Sequence, residues 1–255
     1  MSSSALAKPF RGIGEFFAMS LDTFVQMFRR PWAYREFLFQ AWFVARVALL
    51  PTILLSIPFT VLTTFTVNIL LVEIGAADFS GSGAALATVT QTGPIVTVLV
   101  VAGAAATAMC ADLGARTIRE ELDALRVLGI NPVQALVVPR VVAATVVSLL
   151  LTALVCLVGI AGGFLFSVFL QGVTPGAFAA GLTLLVGTPQ VVAALLKAAV
   201  FGLAASLIAC YKGIFVGGGA QGVGNAVNET VVYTFMALFV INVLATAIAV
   251  KAGAS

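Results

Sequence analysis

The chain has no histidine. That excludes His-ligated metals, His-based catalytic triads and His proton relays. Charge is nearly as scarce: Lys, Arg, Asp and Glu make up 9% of the 255 residues, against about a quarter in soluble domains. With 61% hydrophobic residues and a strongly positive mean hydropathy, this is the composition of an integral membrane protein with no room for a separate soluble domain. Cys110, Cys156 and Cys210 stand far apart in apolar stretches. Their odd number and lack of metal spacing point to buried free thiols. No G-x-x-x-x-G-K-[ST] occurs, so the chain cannot cradle ATP phosphates itself. Gly217, Gly219 and Gly222 spell G-x-G-x-x-G, but no strand precedes them and no acidic residue follows at the right distance. A flexible or re-entrant turn is expected there. A compact basic-then-apolar leader is also missing, so a cleavable signal peptide is not expected.

What is present is apolar sequence in five runs, at about 43–72, 93–111, 137–170, 191–211 and 231–250, the fourth starting as early as Leu182. Each is long enough to cross the hydrocarbon. Pro51 and Pro58 should kink the first. Ahead of them, Ile13, Phe17, Leu21, Phe24 and Phe28 recur every three or four residues, opposite Glu15, Asp22 and Gln26. This stripe suits an amphipathic helix in the membrane interface. Trp32, Tyr34 and Trp42, near Arg29, Arg30, Arg35 and Arg46, suit headgroup-level anchors. The expected fold is an all-α integral membrane protein. It has an interfacial helix and elbow over 1–42, a transmembrane domain of about five helices over 43–255, and one cytoplasmic helix between spans.

That last helix carries the only concentrated block of charge: Arg116, Arg119, Glu120, Glu121, Asp123 and Arg126. Six such charges at a bilayer centre would cost on the order of 15–20 kcal/mol. The segment at about 113–129 must therefore hang outside the hydrocarbon, in a form another protein can grip. Helical spacing would put Ile118, Leu122 and Leu125 on one face and pair Arg116 with Glu120 and Arg119 with Asp123. Gly129 suits a C-cap, and Pro132 should stop the helix. If the N-terminus is cytoplasmic, eleven of the thirteen Lys and Arg residues, Arg140 and Lys212 included, lie in or beside cytoplasmic segments. The loops at 73–91 and 171–190 hold none. The expected topology is N-terminus inside and C-terminus outside the inner membrane.

The sequence from Gln91 to Arg140, with its E-x-x-D-A-L block at Glu120–Leu125 and the G-x-x-P at Gly129–Pro132, resembles the MlaE/YrbE family of ABC-transporter permeases. So does KAAVFGLAASLIACYKGIFVGGGAQGVGNAV, from Lys197 to Val227. The flavour is that of the actinobacterial YrbE type encoded with Mce proteins. The resemblance implies a non-enzymatic subunit of an ATP-driven lipid importer. Its partners would be a second YrbE-type permease, expected as an unlike chain, an ABC ATPase dimer that binds ATP and Mg, MCE-domain proteins and a lipid. No cofactor is expected in this chain and no nucleic acid among its partners. Arg116, Arg119, Glu120, Glu121, Asp123, Leu125 and Gly129 become the coupling helix seated on the ATPase. The family association points to fatty acids, mycolic-acid-derived lipids or sterols.

The chain also departs from the family pattern. Ala104 stands where many members have arginine, and Gln91, after Thr90, stands where an acidic residue is common. Both changes weaken a charged headgroup site at the outer mouth. Lys197 matches the family's lysine; it could answer a lipid carboxylate or phosphate, pair with Glu73, or snorkel outward. With Phe59, Thr63, Asn68, Gln91 and Asn242 it makes up the candidate lipid path, ordinary helix packing being the alternative. The small residues from Gly103 to Ala108, and Gly159 with Gly163, permit close helix approach. The rival class is a self-contained secondary carrier or membrane enzyme, which would place ionisable groups at the midplane. A purely structural scaffold is a third reading.

Overall fold

The computed structural model describes residues 3–29 and 33–251, with side chains from Gly12 onward and not at Ala77. The described residues form helices and turns, with no strand among them. Helix α1 spans Ser3–Met27, and α2 spans Tyr34–Glu73. The second span, Ser80–Ile118, is built of α3 (Ser80–Ala87), α4 (Gly93–Val100) and α5 (Thr107–Ile118), joined by π-helical turns at Thr88–Thr92 and Val101–Ala106. The short α6 covers Glu121–Val127. The third span joins a π turn at Val133–Val137 to α7 (Val138–Gln171). Then come the short α8 (Pro175–Gly181), α9 (Thr188–Ile214) and α10 (Gly219–Lys251). Among the described residues, five helices are long and apolar enough to cross a membrane, as the five runs predicted. This is an all-α, multi-pass membrane protein.

Its ends differ. One, the charged end, gathers α1, α6, the start of α7 and the α9–α10 turn; the other, the far end, gathers Gly75, α8 and the start of α9. The second span lies at the centre, with 61% of its apolar window buried against 11% for α10.

Polar and small residues make many of the contacts between spans, alongside buried apolar residues such as Met109, Leu151, Phe201 and Leu238. On α2 the buried positions fall every fourth residue, as Gln40, Val44, Ala48, Thr52, Ser56, Thr60, Thr64 and Asn68. Lipid tails are as apolar as leucine, so helices associate by close packing and hydrogen bonds. Asn68 Nδ2 donates to Ser167 Oγ at 2.9 Å, Thr97 and Thr152 share a bond of 2.8 Å, and Ser148 donates to the Ala198 carbonyl at 2.7 Å. Glycines let backbones meet. A Cβ on Gly159 would lie 2.4 Å from Thr88 Cγ2, and one on Gly202 would lie 2.3 Å from Ser148 Oγ and 2.7 Å from the Ala144 carbonyl. Gly159 and Gly163 thus pack within the chain, whereas a Cβ on Gly103 would meet nothing within 4 Å.

Helix α2 runs unbroken through Pro51 and Pro58. Elsewhere proline accompanies π turns: those at Thr88–Thr92 and Val133–Val137 each end just before a helix with proline in its first turn, Pro94 and Pro139. Proline has no N–H and its ring crowds the carbonyl four residues back, so a wider turn accommodates it.

Three boundaries differ from the sequence expectation. The elbow does not extend to 42, because Tyr34–Trp42 already belong to α2. The loop expected at 73–91 is short, and the chain re-enters a helix at Ser80. Its residues are too small to register as apolar, yet Ser80, Gly81, Ser82, Ala84 and Ala85 are buried, with Gly81 pressed against the backbone of Phe178 in α8. The charged segment is broken: α5 stops at Ile118, Glu120 takes a left-handed φ of 59°, and α6 begins at Glu121. Gly129 does cap α6, with φ +74° and bonds from its own N–H to the Arg126 carbonyl and from Ile130 N–H to the Leu125 carbonyl. Pro132 opens the next helix rather than merely ending this one, behind an Asn131 side chain that accepts from Val133 N–H at 2.9 Å.

Helix α1 turns Ile13, Phe17, Leu21 and Phe24 outward, with Phe28 exposed just past its end, and buries Met19, Ser20, Thr23 and Gln26 against the bundle. Ser20, Thr23 and Gln26 bond within their own helix, so the side that faces protein is the more polar one. Tyr211 holds it in place, donating to the Gly12 carbonyl at 3.0 Å and meeting Phe16 edge-on. Arg30 and Trp32 lie outside the described residues, as do the side chains of Lys8 and Arg11; Tyr34 and Trp42 are exposed.

Two stability outcomes follow from this packing. Gly202→Ala should lower the thermal midpoint in detergent, an overpacking cost of about 1–3 kcal/mol, while Gly103→Ala leaves it unchanged. Glu120→Gly should raise it, since relieving a left-handed residue returns about 1 kcal/mol, and Glu120→Val should lower it.

Candidate functional site

The charged end holds a connected set of ions. Its deepest member is Arg140, fully buried in the first turn of α7. It donates through Nη2 to Asp112 of α5 and through Nη1 to the Leu136 carbonyl at 2.8 Å, inside the π turn. Glu36, in the first turn of α2, lies 3.8 Å from Nη1, and Gln40 donates to that same Glu36 oxygen at 2.8 Å. Outward from Asp112 come Arg116 at 3.3 Å, then Glu121 at 3.9 Å from Arg116, then Arg119 at 3.0 Å from Glu121. The helix pairs Arg116–Glu120 and Arg119–Asp123 do not form. The break at Glu120 swings Glu121 back onto both arginines, and Asp123 pairs with Arg126 instead, at 2.7 Å. Leu122 is buried and Leu125 half-buried, so α6 is anchored by its apolar side, while Ile118 is exposed.

Beside this set, a cavity of about 450 Å³ opens between α1 and α6, with Asp22, Leu122, Arg126 and Phe215 in its wall. On the other flank, Lys212 pairs with Glu229 at 2.6 Å and sits over the Tyr233 ring. The G-x-G-x-x-G is a tight turn: Gly219 has φ +77°, and a Cβ on Gly222 would strike the Gly217 carbonyl at 2.1 Å. The three cysteines are free thiols; Cys110 and Cys210 are buried and Cys156 half-buried.

At the far end, a cavity of about 200 Å³ lies between the second span, α9 and α10. Of the six path candidates it brings together two, Gln91 and Lys197. Lys197 is 7% exposed and donates to Thr246 Oγ1 at 2.9 Å; no ion pair joins it to Glu73 among the described residues. Thr246 in turn donates to the Asn242 carbonyl at 2.7 Å, which puts Asn242 one turn from the cavity. Phe59, Thr63 and Asn68 are elsewhere. Phe59 packs half-buried against the core, Thr63 bonds to Thr92 at 3.1 Å, and Asn68 is taken by Ser167. The polar stripe of α2 is a helix-packing face.

Sequence reasoning overlooked Glu36, Asp112, Arg140 and Thr246. Arg140 counted there only toward topology, although an arginine at the head of a long apolar run is itself a signal. Thr246 carries no signal, because its role depends on α9 and α10 lying side by side.

Comparison with known proteins agrees with this architecture. The profile of the family described as Permease MlaE matches residues 37–248. The "Probable ABC transporter permease protein" of Synechocystis sp. is 35% identical over 66% of this chain and 64% of its own length. A protein of the same description from Rickettsia typhi is 31% identical over 77% of this chain and 79% of its own. The "Intermembrane phospholipid transport system permease protein MlaE" of Haemophilus influenzae is 28% identical over 72% of this chain and 71% of its own. The chain belongs to the MlaE permease family.

Proposed function

We propose that this chain is the membrane subunit of an ATP-driven lipid transporter in the inner membrane, with its charged end in the cytoplasm. One observation carries the reading: an MlaE-family permease with no nucleotide-binding motif gathers a linked set of charges at one end, around a short helix fixed by a buried apolar side. Such a helix suits capture by a separate ABC ATPase that binds ATP and Mg. Arg119, Glu121, Asp123 and Arg126 present their side chains there. Leu125 and Gly129 set its seat and its end, and Arg116 and Glu120 its hinge. The relatives' printed names, an ABC transporter permease and a phospholipid transport permease, support the same direction.

The lipid would enter or leave at the far-end cavity, whose wall is apolar (Leu86, Val89, Ala193, Val250) apart from Thr90, Gln91, Gln190, Lys197 and Thr246. One ammonium among apolar residues suits a lipid with a single acidic group, such as a fatty acid or a mycolic-acid-derived lipid, better than an uncharged sterol. An unlike YrbE-type permease would complete the membrane core, and MCE-domain proteins would carry the lipid beyond it.

Replacing Glu121 and Asp123 together by alanine should weaken co-purification of the ATPase by roughly tenfold in affinity, a loss of about 1.4 kcal/mol, and ATP-driven uptake with it. Unchanged binding and uptake would contradict the coupling role. In complexes that assemble normally, Lys197→Met should depress uptake of a radiolabelled fatty acid more than that of a radiolabelled sterol. Equal rates before and after substitution would remove Lys197 from the lipid route.

A further inference from the structure

We infer that Arg140 is the positioning residue that passes movement of α6 to the spans, by exchanging its guanidinium between Asp112 and Glu36. This rests on the reading of the chain as an ATPase-driven permease and names the joint through which the drive would act.

The position is a poor one for a cation. Arg140 is wholly removed from water, and an ion taken out of water loses on the order of several kcal/mol of hydration that its partners must return. A well-packed apolar residue commonly stabilises such a site as well or better. Stability alone therefore does not explain an arginine here, and a switching role does. The guanidinium is also incompletely held. Asp112 and the Leu136 carbonyl take one N–H each, Glu36 at 3.8 Å is just beyond hydrogen-bond reach, and Nε has no partner. A small displacement would complete the bond to Glu36 at the expense of Asp112. Leu136 lies in a π turn bracketed by Pro132 and Pro139, an irregular turn of the kind that recurs at functional sites. Two carboxylates on different spans, with one cation between them on a third, make a two-state element of the kind coupling requires.

The same cation is wired to the surface. The chain of contacts leads from the interior to the surface: side-chain exposure is 0% at Arg140, 30% at Asp112, 23% at Arg116, 41% at Glu121 and 64% at Arg119. Arg116 and Arg140 compete for Asp112. A partner that takes up Glu121 would release Arg116 to follow it or to settle on Asp112, and either changes the hold of Asp112 on Arg140. Helix α6 sits directly after the left-handed Glu120, so it can pivot without unwinding α5. Glu36 begins α2, Asp112 lies in α5 and Arg140 begins α7, so one exchange alters how three spans lean on each other.

The test uses the full complex with its ATPase. Spin labels at Ile74→Cys and Leu170→Cys, both exposed at the far ends of α2 and α7, report the separation of those spans, on a Cys156→Ser background. In the parent complex, trapping with ATP and vanadate should shift that distance. Arg140→Met should still co-purify with the ATPase and hydrolyse ATP, yet lose the shift. Arg140→Lys, which keeps the charge, should retain part of it, and Glu36→Gln should reduce it. A shift that persists in Arg140→Met would overturn the proposal. So would failure of both Arg140→Met and Arg140→Lys to assemble, which would make Arg140 an ordinary structural ion. A parent complex that hydrolyses ATP with no far-end shift would instead refute the permease reading beneath it.

Discussion

The cost of taking charge out of water organises this molecule. Charged side chains are few, and most are confined to one end of the bundle, where α1, α6 and the α9–α10 turn meet. Each span can then be apolar over its length, and the longer ones overrun the hydrocarbon; α2, at 40 residues, is about 60 Å long, roughly twice the hydrocarbon thickness. The excess length carries Glu36, Gln40, Asp112 and Arg140, so ionic contacts fasten the spans where water is near while neutral contacts fasten them within the membrane.

Inside the membrane, the chain relies on closeness. Hydroxyls, glycines and alanines meet across α2, α7, α9 and the second span beside buried apolar residues such as Met109, Leu151, Phe201 and Leu238, while many other large apolar residues face outward. That arrangement fits a medium in which leucine gains nothing by burial against leucine rather than lipid. It also frees the outward faces of α2 and α10 for lipid or for a second permease. The π turns interrupt the central span twice and precede α7 once; one borders the far-end cavity and another the Arg140 cluster.

Hydropathy and charge made the number of spans, the helical class and the separateness of the charged segment legible in the sequence. Gly129 was legible as a cap because glycine at a helix end has one dominant use. The loop at 73–91 was misjudged because SGSGAALA is neither apolar nor polar enough to classify, and its burial depends on α8 folding over it. The break at Glu120 was hidden because a glutamate shows no preference for a left-handed backbone. The polarity of Thr63 and Asn68 is visible in the sequence, while the face they occupy, bonded to Thr92 and Ser167, is not. Gln91 and Lys197 share a cavity, but only the side-by-side packing of α9 and α10 brings Thr246 to the lysine. Arg140 and Asp112 lie 28 residues apart, a separation at which spacing along the chain carries no information about contact.

The account depends on α6 being held by a nucleotide-hydrolysing partner in the cytoplasm. The most direct measurement places a photo-activated crosslinking amino acid at Leu128, an exposed residue just after α6, in cells making the whole complex, and identifies what it captures by mass spectrometry. The account predicts a crosslink to an ATPase subunit. Capture of an outward-facing protein instead, or access of a membrane-impermeant thiol reagent to Leu128→Cys from outside the cell, would contradict it.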